Sequence, residues 1–379
     1  MQEIKHQFLS LADANEPYID EMCEAACRVI RSGRYIGGPE VEAFETELAG
    51  MLHAPYAVAV SNGLDALRLT LRAWTALGRL KKGDEVIVPA NTYIASVLAI
   101  VDAGLYPVLA EPSESTMNLD TSRLEEYVTP RTRAIMPVHL YGLVCWDKDL
   151  TDFVSRHGLL VIEDAAQAIG ARATMPGLYG SEMAGALGHA GALSFYPTKN
   201  IGALGDAGAI VTHNAELASM ARTLANYGSD RRYHNIEAGF NCRMDPIQAA
   251  MLRVKLPHTE EENGDRFARA LAYIRTIRRQ DIITPEIPRS VVEHVWHQFV
   301  IRVTGDGRDE LQRRLAEAGV GTDIHYAVPP HMQPCFATSL PHGPLPVTER
   351  LASEILSLPI GRGTTVKDAA DIARIINSL

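Results

Sequence analysis

A lysine, an aspartate and a short helix start are the features of this 379-residue chain best suited to chemistry. Lys199 sits in Gly191-Ala-Leu-Ser-Phe-Tyr-Pro-Thr-Lys199-Asn-Ile-Gly-Ala-Leu-Gly-Asp-Ala-Gly-Ala-Ile210, between an apolar strand-like run and a Gly-rich loop. It is one of only 7 lysines among 36 basic residues. Others, such as Lys81-Lys82 before Gly83, fall in polar turns. A lysine removed from water loses part of its preference for the ammonium form. It can then act as a Schiff-base amine and as a proton carrier. A turn lysine is more often a solvated surface group, so the surrounding segments decide.

Glu163-Asp164-Ala-Ala-Gln167 closes an apolar run. A carboxylate at such a strand end points into the crevice, and an aspartate aimed at a ring nitrogen suits a pyridinium cofactor, whose protonated ring is the electron sink. Ser61-Asn62-Gly63 closes one strand and opens a helix. The unsatisfied N–H groups and dipole of a helix start attract phosphate. Ser194 lies five residues before Lys199 and offers a hydroxyl, and Tyr93 follows a strand end where its ring could stack on a cofactor. No GxGxxG follows the first strand and no GxxxxGK[ST] occurs, which removes the main support for dinucleotide and P-loop readings.

The elements that must hold these groups alternate strand and helix. Ala57–Ser61, Glu85–Pro89, Pro107–Ala110, Ala134–His139 and Leu159–Glu163 read as strands. Asn62 to Leu77 carries Leu64, Leu67, Leu71 and Trp74 at helical spacing, and Tyr93 to Gly104 is a second helix ending on glycine. Short apolar runs between helices imply an α/β fold with a mainly parallel sheet covered on both faces. Ligands bind such sheets at the carboxyl ends of the strands. After about residue 250 the pattern changes to α+β: a polar helix over Phe267–Arg279, a strand over Val295–Val303, a helix over Arg308–Gly319, a strand over Thr322–Tyr326 and a closing helix over Val366–Leu379. The expectation is a large domain over residues 1–250, with an N-terminal helical arm, and a smaller one over 251–379.

Composition narrows the classes. Hydrophobic residues make up 46% and charged residues 22%, the mix of a globular protein. The net charge of −10 disfavours nucleic-acid binding. No apolar run approaches a membrane span and no signal core opens the chain. Five scattered cysteines without a CxxC pair support reduced thiols, a cytoplasmic location and no metal site.

Taken in order, several segments resemble the sugar aminotransferases named after DegT, DnrJ, EryC1 and StrS, pyridoxal-phosphate enzymes of fold type I. They are Gly37-Gly-Pro-Glu-Val-Glu-Ala-Phe-Glu45, Ala59-Val-Ser-Asn-Gly-Leu-Asp-Ala-Leu67, Asp84-Glu-Val-Ile-Val-Pro-Ala-Asn-Thr-Tyr93, Pro137-Val-His-Leu-Tyr-Gly142, Glu163-Asp-Ala-Ala-Gln-Ala168, the Lys199 segment, and Tyr227-Gly228 through Asn241-Cys-Arg-Met-Asp-Pro-Ile-Gln-Ala249. The resemblance implies that Lys199 anchors pyridoxal 5′-phosphate covalently and that Asp164 pairs with its ring nitrogen. It further implies that Gln167 bonds the ring hydroxyl, Tyr93 stacks on the ring, and Asn62, Gly63 and Ser194 hold the phosphate. Asn241 would reach that phosphate from the other subunit of a homodimer. Thr322-Asp-Ile-His-Tyr-Ala-Val-Pro-Pro-His-Met-Gln-Pro334 is similar to the branch aminating carbon 3 of dTDP-3-oxo-6-deoxyhexoses, which would put His325 and Tyr326 near the sugar or its pyrophosphate. L-Glutamate would be the donor, the nucleotide-linked keto-sugar the acceptor, and the setting deoxyamino-sugar biosynthesis for lipopolysaccharide or an antibiotic.

Rivals differ at identifiable points. A carbon-4 aminotransferase acting on a UDP- or dTDP-4-keto-sugar would share every residue named here. A sugar 3-dehydratase resembling this family carries histidine where Lys199 stands. A non-catalytic regulator on the same fold would have lost the lysine or gained a DNA-binding segment, and a nicotinamide-dependent epimerase would need the missing Gly-rich fingerprint.

Overall fold

Apolar, largely β-branched runs become the strands of a seven-stranded sheet in the computed structural model, which describes residues 4–336, 340 and 342–379. In chain order the strands are β1 (Tyr56–Val60), β2 (Glu85–Pro89), β3 (Tyr106–Ala110), β4 (Thr132–Ile135), β5 (Leu160–Asp164), β6 (Ala190–Ser194) and β7 (Gly208–Thr212). Across the sheet they lie β1-β7-β6-β5-β4-β2-β3. The pairs from β3 to β6 are parallel. β7 instead runs antiparallel to both β6 and β1. The sheet is thus mainly parallel, as expected, with one reversed strand that the periodicity did not reveal. The reversal has a local cause. A parallel return needs a crossover, usually a helix, whereas residues 195–207 contain Pro197, Gly202 and Gly205 and form none.

Alternate residues of each strand enter different cores, the mark of a sheet buried on both faces. Val58 and Val60 join Leu67, Leu71 and Trp74 of the helix Gly63–Ala76. Ala57 and Ala59 join Phe44, Leu48 and Leu252 on the opposite face. A hairpin of β8 (Ser229–Arg231) and β9 (His234–Asn235) stands apart. The last third forms an antiparallel sheet of β10 (Ile282–Ile283), β11 (Phe299–Val303) and β12 (Ile355–Leu358). Tyr273, Trp296, Phe299, Leu315 and Ile372 fill the core between it and its helices.

Two sequence expectations fail in this part. Thr322–Tyr326 is not a strand, because only Asp323 pairs, with Ser357 on the free edge of β12. The strand expected from Val295 begins only at Phe299, since Trp296 takes a left-handed φ of 48° that breaks the extended path.

β5 separates a structural acid from a site acid. Glu163 is fully buried and accepts from the N–H groups of Gly185, Leu187 and Gly188, each at 2.8 Å, and from His139 Nε2 at 2.8 Å. Three backbone donors of the 185–188 turn have this one carboxylate as partner, so truncation strands them all. Glu163→Ala is expected to lower stability by about 3–5 kcal/mol, because each buried unpaired donor costs about 1–3 kcal/mol. Urea denaturation checks this, and a loss below about 1 kcal/mol would show that the turn finds other partners.

Candidate active site

The carboxyl ends of β1, β2, β5 and β6 lie on one edge of the sheet, so the groups following them converge. The convergence is tightest where three backbones meet. Gly208 pairs with Val60 on one side and Ser194 on the other. A Cβ on Gly208 would lie 2.3 Å from the Asn62 carbonyl carbon, and one on Gly63 would lie 2.7 Å from Ser194 Cβ. Only glycine at both positions lets the helix start approach the strand end this closely. Asn62 caps the helix, its Oδ1 accepting from Asp65 N–H at 2.8 Å. Its side chain is therefore occupied, and the turn offers an anion the N–H groups of the first helical turn.

Asp164 ends β5 and is 7% exposed. Its Oδ2 accepts from Ser96 Oγ at 2.7 Å and its Oδ1 from Ala166 N–H at 3.2 Å. Ser96 is in turn linked to Thr92 Oγ1 at 2.8 Å. Tyr93 is half exposed at the start of the helix Ile94–Asp102, with its ring 5.0 Å from that of Tyr326. Gln167 is buried with both ends of its amide engaged: Oε1 accepts from Tyr141 N–H at 2.5 Å, and Nε2 donates to Tyr326 Oη at 3.0 Å. Burial raises the Tyr326 phenol well above its ordinary value, and the Asp164 charge adds to this.

Lys199 follows β6 in a turn closed by its own N–H donating to Tyr196 O at 2.8 Å and by Ala203 N–H donating to Phe195 O at 2.8 Å. Gly202 closes the same turn, since a Cβ there would lie 2.3 Å from Pro197 O. The residue keeps some solvent contact, yet burial pushes its amine down to about 8, with Asp164 pulling the other way. Beneath the turn, Lys255 is 6% exposed and donates from Nζ to Gly202 O at 2.7 Å. Burial pushes this second ammonium down to about 8 as well, with Glu262 opposing.

Tyr326 joins Tyr93 and Gln167 by direct contact, the Asp164 charge acts on both Tyr326 and Lys199, and Gly63 packs against Ser194. Two further residues of the sequence reading have these surroundings. His325 is spent within the chain: Nδ1 lies 2.9 Å from Ser357 Oγ, Nε2 lies 3.7 Å from Asp323, and the ring stacks on Phe8 at 5.7 Å. Burial keeps its pKa below the usual histidine value. Asn241 is exposed; its neighbour Cys242 accepts from Ser61 N–H at 3.2 Å. Sequence reasoning missed Ser96 and Tyr141. Thr92 and Ser96, four apart after a strand end, were the available signal for the first. Tyr141 has φ of 60° and donates from its hydroxyl to His325 O at 2.5 Å, and its left-handed backbone leaves no mark in the sequence.

Among the described residues no cluster of three or more His, Cys, Asp or Glu is placed to hold a metal ion, and no helix is long and apolar enough to cross a membrane. Residues 18–377 match the model of the DegT/DnrJ/EryC1/StrS aminotransferase family. The chain is 44% identical to the dTDP-3-amino-3,4,6-trideoxy-α-D-glucose transaminase of Streptomyces venezuelae, over 93% of this chain and 90% of that one. It is 43% identical to the dTDP-3-amino-3,6-dideoxy-α-D-galactopyranose transaminase of Aneurinibacillus thermoaerophilus, over 98% of each. Among solved structures, S. venezuelae DesV in complex with a ketimine intermediate superposes with a TM-score of 0.91 at 42% identity, covering 98% of both chains.

Proposed function

Because the chain belongs to the DegT/DnrJ/EryC1/StrS aminotransferase family, we propose that it transfers an amino group from L-glutamate to carbon 3 of a dTDP-3-oxo-6-deoxyhexose. Its cofactor is pyridoxal 5′-phosphate. The observation that carries the reading is a desolvated Lys199 amine in the field of Asp164, at the sheet edge where Gly63 and Ser194 meet.

The residues present fit the cofactor. The two glycines let the helix start lie directly against the ends of β6 and β7, where any side chain would intrude, and a phosphate is the anion such a start favours. Asp164 is a buried carboxylate whose one side-chain partner is the Ser96 hydroxyl, which suits a protonated ring nitrogen. When bound, pyridoxal phosphate supplies a carbonyl that takes up and returns nitrogen, and a ring that draws electrons from the carbon losing its proton. The chain's own residues do the rest. Lys199 Nζ would anchor the cofactor and, when free, would take up or deliver the proton at the substrate carbon. Asp164 would keep the ring nitrogen protonated, Tyr93 would stack on the ring, and Gln167, its amide held rigid by Tyr141 and Tyr326, would bond the ring hydroxyl. His325 and Tyr326 border the acceptor sugar.

We assign the working unit as a homodimer in which Asn241 completes the partner's phosphate site. The exposure of Asn241 supports this, as do the apolar side chains around the β8–β9 hairpin, with Tyr227 50%, Tyr233 88% and Ile236 50% exposed. The thiols of Cys23, Cys27, Cys145 and Cys242, none in a disulfide, support the cytoplasm as its place of action.

The test is product identification by mass spectrometry with glutamate and a panel of dTDP- and UDP-linked keto-sugars. The expected product is a dTDP-3-amino-6-deoxyhexose with equimolar 2-oxoglutarate. Amination of 4-keto-sugars alone would replace the carbon-3 reading. Tight cofactor binding without any amino-sugar would replace the enzyme reading with a regulatory one.

A further inference from the structure

The segment that carries Asn241 packs on the helix whose start is assigned the phosphate of its own site. Main-chain bonds fix its path. Phe240 N–H donates to Leu224 O at 2.7 Å, Tyr227 N–H to Phe240 O at 2.7 Å, and Cys242 N–H to Ala225 O at 2.9 Å. Asn241 and Arg243 form antiparallel bridges with Asn226 and Val60, so the segment is extended and its side chains alternate. Phe240 and Cys242 turn back into the core beside that helix, the first half-buried and the second 3% exposed. Asn241, between them, turns outward and is exposed.

Arg68 grips both inward neighbours. It lies on the helix Gly63–Ala76, with Cζ 4.4 Å from the centroid of the Phe240 ring, and its Nη2 donates to Cys242 Sγ at 3.3 Å. A planar guanidinium stacked on a ring face restrains that ring as a point charge cannot. The same guanidinium is itself anchored. Nη2 lies 2.5 Å from Asp65 Oδ1, and Nη1 lies 3.3 Å from Asp102 Oδ2. Asp65 also accepts from Ser61 Oγ and from Asn62 Nδ2, the latter at 3.1 Å. One arginine thus joins the helix start of one site to the two residues that flank Asn241.

We propose that Arg68 is a positioning residue for the partner's site: by holding Phe240 and Cys242 it sets the direction in which Asn241 leaves its own subunit. The proposal rests on the shared-site homodimer reading. The test distributes two substitutions over tagged hybrid dimers, with Lys199→Ala marking a site that cannot link the cofactor. The visible absorbance of Lys199-linked pyridoxal phosphate then reports the intact site alone, and titration gives its cofactor affinity apart from turnover. With R68M and Lys199→Ala on different chains, the intact site receives Asn241 from a chain that keeps Arg68. Its affinity should match that of a hybrid carrying Lys199→Ala alone. With both substitutions on one chain, the intact site receives Asn241 from the R68M chain. Its cofactor dissociation constant should then rise about tenfold, the scale of one hydrogen bond to a charged group. The two hybrids carry the same substitutions, so lost stability alone moves them together. F240L leaves Asp65 untouched and should show the same asymmetry; it also covers the case in which R68M does not fold. Equal affinities in the two arrangements, or a loss only where R68M shares a chain with the intact Lys199, overturn the assignment. Asn241→Ala in the same arrangements separates the readings. If it acts across the dimer while R68M does not, the Arg68 role alone is overturned. If it acts within its own chain, the shared site and the Arg68 role are both overturned.

Discussion

Replacing Lys199 with alanine is expected to leave essentially no turnover, a loss of at least about ten-thousandfold. Proton transfer by a positioned side chain contributes about 10²–10⁴-fold, and the covalent anchor is lost with the same group. Lys199→Arg should rescue nothing, because a guanidinium stays protonated and cannot take a proton. The pKa sharpens the expectation. An amine at about 8 is neutral in about one molecule in ten at pH 7, against roughly one in three thousand for an ordinary lysine. In the aminated enzyme, where Lys199 is free, its labelling by an amine reagent should therefore rise with pH and level off above about 8. Peptide mass mapping reads that midpoint. Substantial transamination by a pure Lys199→Ala protein would refute the role given to this residue.

Asp164→Asn is the second large effect. The amide preserves shape and can still accept from Ser96 Oγ, so the fold should hold while the negative charge is lost. Without it the ring nitrogen is no longer held protonated, and kcat should fall about 10²–10³-fold, the scale of losing one preorganised electrostatic partner. Asp164 also raises the Lys199 pKa, so the labelling midpoint should move below its wild-type value. A purely structural role for Asp164 would lower the melting temperature without moving that midpoint. An unshifted midpoint with near-normal kcat would show that the two groups are not coupled.

Much of this site was legible because its residues carry unusual signals in their own segments. Lys199 is a lone amine beside glycines, and Asp164 closes an apolar strand, so both could be placed at the sheet edge before any coordinates. The pairing of Gly63 with Ser194 was half legible: each segment suggested an anion, but their closeness depends on Gly208 pairing with both neighbours. The direction of β7 was hidden, because Gly208–Thr212 looks the same in either orientation and pairing alone decides. Thr322–Tyr326 alternated like a strand yet lacks a partner beyond Asp323. Phe267–Arg279 read as a polar helix, but the helix runs Thr259–Thr276, and its buried face of Glu262, Arg266, Arg269 and Tyr273 became apparent only from what packs against it. Charge usually signals solvent, so a charged face turned inward is the pattern local sequence conceals best.

The Lys255 ammonium under the Gly202 carbonyl has a consequence for how the protein is loaded. The turn bearing Lys199 is tied to the fold from below and needs no ligand to give it shape. The cofactor then docks into a standing frame, and little of its binding energy goes into immobilising loose chain. Capture should be limited by collision and by the anchoring reaction, not by a wait for a segment to order itself.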